Sequence, residues 1–361
     1  MSLDDIAKCR LGSQQLLGTS LTTPRQLVSY LGAIQAQDYA MAKWAIGIRL
    51  AITEKQVEAA LNAGDIIRTH ILRPTWHFVS VDDIGWMLTL TAPHIKTVNN
   101  AMCRKFELDT KILNRCNAII EKALAGGIHL TRDEIMLLLD KKGIRTDDIR
   151  SALIMMNAEL DGVVINGARR EKQFTYSLLD LSKAKAFNKE EGLTELTKRY
   201  FISHGPATLQ DFTWWSGLSV ANSKVALSSA QSMLDSMIVA DKTYWFSNTH
   251  CYEQSAINRI HFLPAFDEFT ISYKDRSASI MPEVARQVFT NNGIFKPMIV
   301  VNGQVIGIWK RTFKKDLAVI ETLFFDKVSK NKEQAIFKAG AAYGRYMEME
   351  CIVKIKRTYT C

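Results

Sequence analysis

Two glutamines, Gln35 and Gln37, stand two residues apart at the break between two helical runs within residues 31–49. In an extended linker, side chains spaced by two project to the same side. Each carboxamide offers N–H donors and an acceptor oxygen, so such a pair can grip one water molecule from two sides. That suits hydrolysis of a bond that needs a positioned water and only a weak base. The structural alternative for each amide is to cap a helix end or bond loop backbone. Asp38 sits where the N-cap of a helix over 40–49 belongs, and this reading is preferred to a role as base.

Other reactive patterns are sparse. The six cysteines, Cys9, Cys103, Cys116, Cys251, Cys351 and Cys361, form no Cys-x-x-Cys pair, which argues against zinc and redox motifs. The seven histidines include neither His-x-x-x-His nor His-Glu-x-x-His, so no metal is expected. No Gly-rich phosphate loop appears, and no cofactor is expected. The first residues lack a secretory pattern and no apolar run is long enough to span a bilayer. Reduced thiols in a cytoplasmic protein follow as the simplest expectation.

The elements that position the glutamines repeat. At 361 residues the chain exceeds one ordinary core, and two to four domains are expected. Hydrophobic content of 47% and charged content of 23% are those of a globular protein. Thr131-Arg132-Asp133-Glu134 reads as a capping box opening a helix to about Asp140. A second helix follows with Ile149, Leu153, Met156 and Leu160 on one face, and then a basic hairpin through an Asn166-Gly167 turn towards Phe174. The same order recurs downstream, with Thr208 and Ser219 as caps and a hairpin around Asp241-Lys242. It recurs upstream, with Thr23-Pro24 and the Thr53/Gln56 box leading to strands 66–70 and 75–79. Helix, turn, helix and hairpin is the layout of a winged helix. The last third is β-rich: Ile299 to Trp309 is the clearest hairpin, 334–347 reads as a helix and 351–355 as a last strand. The expectation is an α+β chain of tandem winged-helix (helix-turn-helix) units followed by a C-terminal β-barrel-like domain. Its boundaries fall at 1–100 (winged helix 1 with an N-terminal helix), 101–190 (winged helix 2), 191–255 (winged helix 3) and 256–361.

A net charge of +9 fits a polyanionic partner. Basic side chains recur near the glutamines (Lys43, Arg49, Arg68, Arg73), on a hairpin (Arg169, Arg170, Lys172) and after the Ile299–Trp309 hairpin (Lys310, Arg311, with Lys314 and Lys315). Each taken singly reads as a solvated charge. Beside hairpins they read together as candidates for phosphate contact.

Five blocks in order carry a resemblance over nearly the whole chain. They are residues 31–49 with Gln-x-Gln, Arg73-Pro74-Thr75-Trp76-His77, His204-Gly205-Pro206-Ala207-Thr208 with Trp215-Ser216-Gly217-Leu218, Phe262-Leu263-Pro264-Ala265-Phe266-Asp267 with Asp275-Arg276, and the Val301–Trp309 hairpin. In these the chain resembles the AlkZ and YcaQ-like family of winged-helix DNA glycosylases. Some members carry Gln-x-Asp, so Gln-x-Gln resembles the branch acting on bulky alkylpurines and interstrand crosslinks. The resemblance implies a monofunctional DNA glycosylase working as a monomer on alkylated or crosslinked duplex DNA, with Gln35 and Gln37 as catalytic residues in an open site. It also implies a hairpin that probes the minor groove, and Asn302-Gly303-Gln304 is the candidate tip, with Asn302 and Gln304 among the DNA-binding residues. The alternative is a non-catalytic winged-helix DNA-binding protein or transcriptional regulator. Paired half-site reading by a dimer fits three units in one chain poorly.

Overall fold

A computed structural model describes residues 1–182, 184–247, 259–327 and 329–357. Cys251 and Cys361 lie outside the described residues. The architecture is α+β. Helix α1 (Leu3–Ser13) precedes α2 (Pro24–Leu31), β1 (Ile34–Gln35), α3 (Tyr39–Leu50), α4 (Glu54–Asn62), β2 (Ile66–His70) and β3 (Trp76–Ser80). The three strands form one sheet in the order β1-β3-β2. Next come α5 (Ile84–Lys105), α6 (Thr110–Leu124), β4 (Leu130–Thr131), α7 (Arg132–Lys141), α8 (Arg150–Leu160), β5 (Val164–Arg170) and β6 (Gln173–Leu178), with sheet order β4-β6-β5. A third run holds α9 (Lys189–His204), α10 (Leu209–Ser216), α11 (Val220–Ala230) and a two-stranded ribbon, β7 (Asp235–Val239) with β8 (Lys242–Phe246). A helix pair followed by an antiparallel hairpin thus occurs three times.

Local chemistry sets these helix starts. Reciprocal capping boxes close Thr23 with Gln26, Thr53 with Gln56, Thr131 with Glu134 and Thr208 with Asp211, each satisfying two donors that the first turn leaves open. The second hairpin does not turn at Asn166-Gly167. Those residues lie within β5, opposite Tyr176 and Thr175, and the chain reverses at Glu171-Lys172, where Glu171 has φ 54°. Gly167 serves close approach instead, since a Cβ there would lie 2.5 Å from His129 Nδ1.

The last segment carries β9 (Ile260–Leu263), the short α12 (Glu268–Ile271) and α13 (Ala285–Val288), then β10 (Met298–Val301), β11 (Gln304–Lys314), β12 (Leu317–Phe324), α14 (Lys330–Met347) and β13 (Glu350–Arg357). Its sheet runs β13-β12-β11-β10-β9. Only β12 and β13 are parallel, and α14 supplies the crossover that such a pair requires. Among the described residues β9 and β13 remain the two edges, so the sheet is open. A helix covers it where the sequence suggested closure into a barrel: Ile336, Tyr343 and Tyr346 of α14 pack with Phe262, Ile299, Trp309 and Ile320, and with Trp44 of α3.

Three clusters make most of the core. One joins α2–α4 to the C-terminal sheet, a second joins β2–β3 and α5 to α9–α11, and a third lies within residues 108–178. A buried ion pair ties the first of these across the chain. Arg49 donates to both carboxylate oxygens of Asp267 at 2.9 Å, to the carbonyl of Gln14 at 2.8 Å and to that of Ala45 at 2.9 Å. Both side chains are essentially inaccessible. Removing one partner strands the other charge in a low-dielectric interior. Arg49→Ala is therefore expected to cost about 3–5 kcal/mol of unfolding free energy, read by urea denaturation. An unchanged midpoint would show that this pair does not tie α3 to the C-terminal segment.

Candidate active site

The backbone of residues 35–37 is held at successive polar groups. Gln35 N–H donates to Glu268 Oε1 at 2.8 Å, Ala36 N–H to the Trp76 carbonyl at 2.7 Å and Gln37 N–H to Gln35 Oε1 at 3.3 Å. The Ala36 carbonyl accepts from Arg68 Nε at 3.1 Å. Strand β1 also pairs with β3, Gln35 standing opposite His77. Gln35 is 7% exposed, whereas Gln37 is exposed. The two carboxamides therefore divide, one at the floor and one at the surface. Asp38 accepts from Met41 N–H at 3.1 Å as the N-cap of α3.

Beneath this strand lies a buried polar cluster. Glu268 Oε2 accepts from Trp215 Nε1 at 3.1 Å and from the Ser272 hydroxyl, and His204 Nε2 stands 3.7 Å away. Burial pushes the Glu268 carboxyl up, but the bonds and charges of His204, Ser272 and Arg73 outweigh it and hold the group at about 2. Burial pushes His204 down, with Glu268 opposing. Glu268 thus meets three donors besides His204. Burial and the nearby Arg73 hold His77 at about 3. Its Nδ1 lies 2.9 Å from the Thr75 carbonyl, the structural role its place in a strand suggested.

A shell of cations and aromatic rings flanks the same segment. Arg68 lies 4.3 Å from the Trp76 ring centre and 4.7 Å from that of Phe174, and donates to Asn166 Oδ1 at 2.7 Å. Burial lowers it to about 10, so it stays charged at neutral pH. Arg169 sits 5.1 Å from Tyr39 and 5.2 Å from Phe174, and donates to the Lys172 carbonyl at 2.6 Å. Hairpin β5–β6 thus delivers Arg169 to Tyr39, the first residue of α3.

The remaining candidate cations are placed differently. Lys43 is buried and paired with Glu54 and Glu58. Arg49 is consumed by Asp267. Arg73 is half-buried within reach of the Glu268 charge. Arg170 pairs with Glu134, Lys310 with Glu321, and Arg311 donates to the Tyr343 hydroxyl. Asn302 and Gln304 are not at a free tip. Gly303, between them, touches Ala7 so closely that a Cβ would lie 2.6 Å from that backbone, and Gln304 Nε2 donates to Asp4 Oδ1 and the Ala278 carbonyl. The exposed tip belongs to the next hairpin, β11–β12, where Phe313, Lys314, Lys315 and Asp316 are all exposed. Sequence reasoning missed Glu268, Tyr39 and Phe174 as members of the site. The signal for Glu268 was a second acidic residue directly after the Phe262–Asp267 block, in an otherwise apolar run.

Comparisons with known proteins bear on the family and the fold. The family model described as DNA glycosylase AlkZ-like matches residues 28–346. An interstrand DNA cross-link repair glycosylase of Streptomyces sahachiroi is 22% identical over 318 residues, spanning 83% of this chain and 85% of that protein. The solved structure of Streptomyces sahachiroi DNA glycosylase AlkZ superposes with a TM-score of 0.81 at 20% identity, covering 99% of this chain and 100% of the other.

The buried imidazoles give the site a pH signature. His77 and His261 are both held at about 3 by burial, while an unfolded histidine titrates near 6.5. The unfolded chain alone takes up these protons, so stability is complete above about pH 6.5 and is lost as pH falls towards 3. Each histidine contributes up to about 1.4 kcal/mol per pH unit in that window. Unfolding free energies at pH 7.5 and 5.5 are expected to show this drop, and His77→Gln or His261→Gln to remove one proton's share of it. A drop of unchanged size in both variants would refute neutral buried rings.

Proposed function

The chain belongs to the AlkZ-like DNA glycosylase family, and from that premise we propose that it hydrolyses the N-glycosidic bond of cationic N-alkylpurines in duplex DNA, interstrand crosslinks included. Alkylation at purine N7 or N3 makes the base cationic and a good leaving group. The bond to C1′ then breaks through an oxocarbenium-like state, and a neutral purine departs. A water held near C1′ completes the reaction without a strong base, and positioning alone lowers such barriers by several kcal/mol, roughly. In this reading Gln37, at the surface, and Gln35, just below it, orient that water through their carboxamide oxygens and favour the developing positive charge. The observation that carries the reading is the pinned 35–37 backbone with exposed Gln37 beside buried Gln35.

Duplex DNA then lies across the three helix–helix–hairpin units, read here as winged helices, and a monomer suffices. An open groove site admits lesions too bulky for the closed pocket that flipped-base enzymes use. The β11–β12 tip, with Phe313 45% exposed and Lys314 and Lys315 outward, replaces Asn302-Gly303-Gln304 as the element that reaches a groove. Lys172 and Arg169 on the β5–β6 hairpin serve phosphates.

Release of 7-methylguanine from methylated duplex DNA tests the chemistry. Gln35→Ala and Gln37→Ala are each expected to slow release by about 100-fold with binding retained. Binding without release by the wild-type protein would leave a DNA-binding protein without this activity. The Lys314→Ala/Lys315→Ala double variant is expected to weaken binding to all duplex sequences and to reduce the salt slope of log K by about 2. An unchanged slope would remove the tip from the interface.

A further inference from the structure

We propose that Glu268 is a positioning residue for this hydrolysis: its carboxylate fixes the Gln35–Gln37 segment through the Gln35 N–H and places a permanent negative charge beneath it. The inference rests on the glutamine reading above and goes beyond it in assigning a role to a residue that reaches neither solvent nor the DNA. Oε1 takes the Gln35 N–H at 2.8 Å, while Oε2 is anchored by Trp215 Nε1 and the Ser272 hydroxyl. The side chain is 1% exposed. Burying an ionised carboxylate is costly, but three donors meet its two oxygens, and a neutral carboxamide of the same shape has only one acceptor oxygen to offer them. A fixed anion below a segment where positive charge develops acts in the transition state without reorganising, and the low local dielectric preserves its reach. Burial pushes His204 down, with Glu268 opposing, and Arg73 stands within reach of the same carboxylate.

The test is single-turnover release of 7-methylguanine at saturating protein, with duplex affinity measured in parallel. Glu268→Gln keeps the shape and one acceptor oxygen and removes the charge. It is expected to lower the release rate about 10- to 100-fold and to leave the Kd within about 2-fold, since no phosphate contact is touched. A wild-type rate, or a loss of affinity as large as the loss of rate, overturns the proposal. Should Glu268→Gln not fold, Ser272→Ala takes its place. It frees Oε2 of one anchor and is expected to slow release about 10-fold, the lower end of what a net hydrogen bond to a charged group is worth; a wild-type rate there likewise overturns it. Gln35→Ala and Gln37→Ala run alongside. If they lose activity while Glu268→Gln does not, only the positioning role falls. If they too keep wild-type rates, the glutamine reading itself falls.

Discussion

Two consecutive carboxylates, Asp267 and Glu268, are buried, and each clamps a different part of the N-terminal 50 residues. Asp267 holds Arg49 of α3 in a two-pronged ion pair, and Glu268 holds the backbone of β1. Gln14 of the loop after α1 completes the joint: its carboxamide accepts from Arg49 and donates to the Glu268 carbonyl at 3.1 Å and to the Tyr273 hydroxyl at 3.0 Å. The helix that Asp267 caps and Glu268 opens has only four residues and is too short to persist by itself. It persists because unpaired charges cannot be left in a dry interior. The placement of the glutamine strand follows from that electrostatic demand as much as from apolar packing.

Local features of the chain were readable, and long-range ones were not. The four capping boxes lie within three residues of their partners, so the helix starts at Pro24, Glu54, Arg132 and Leu209 could be found directly. The Asn302-Gly303 turn was equally local, and both residues have positive φ. Its fate was not, because Asp4 is 300 residues away in sequence. Arg49 looked like a surface cation for the same reason, its partner standing 218 residues downstream. Lys43 was misplaced for a nearer cause: Glu54 and Glu58 come from the very next helix, and an antiparallel pair packed through one face brings them back to it. The packed helix was readable, but closure of the sheet was not, since a strand pattern does not say whether the last strand returns to pair with the first.

The positive surplus of the chain is unevenly spent. Lys43, Arg49, Arg170, Arg199 and Lys310 face acids within the molecule, and Arg68 serves as a strut between Ala36, Asn166 and two rings. What remains outward includes Lys172, Lys314 and Lys315 on two hairpin turns. A duplex meeting this protein would therefore meet charge at projecting points, with rigid, internally neutralised ground between them. Such a surface sets register through a few phosphates.

Helix α1 has a particular consequence for how the molecule is made. Its Arg10 donates to the Pro206 carbonyl and lies over Tyr273, Gln14 just beyond it reaches Glu268, and Ala7 and Asp4 receive the Asn302–Gln304 turn. These partners lie 196 to 300 residues later, so α1 finds its full seat only once the C-terminal segment has folded. Until then its apolar face stays exposed. Pairing over such spans also slows the final assembly step. A chain cut before residue 260 would carry a glutamine strand without its acidic clamp, so the site assembles only once Asp267 and Glu268 have joined it.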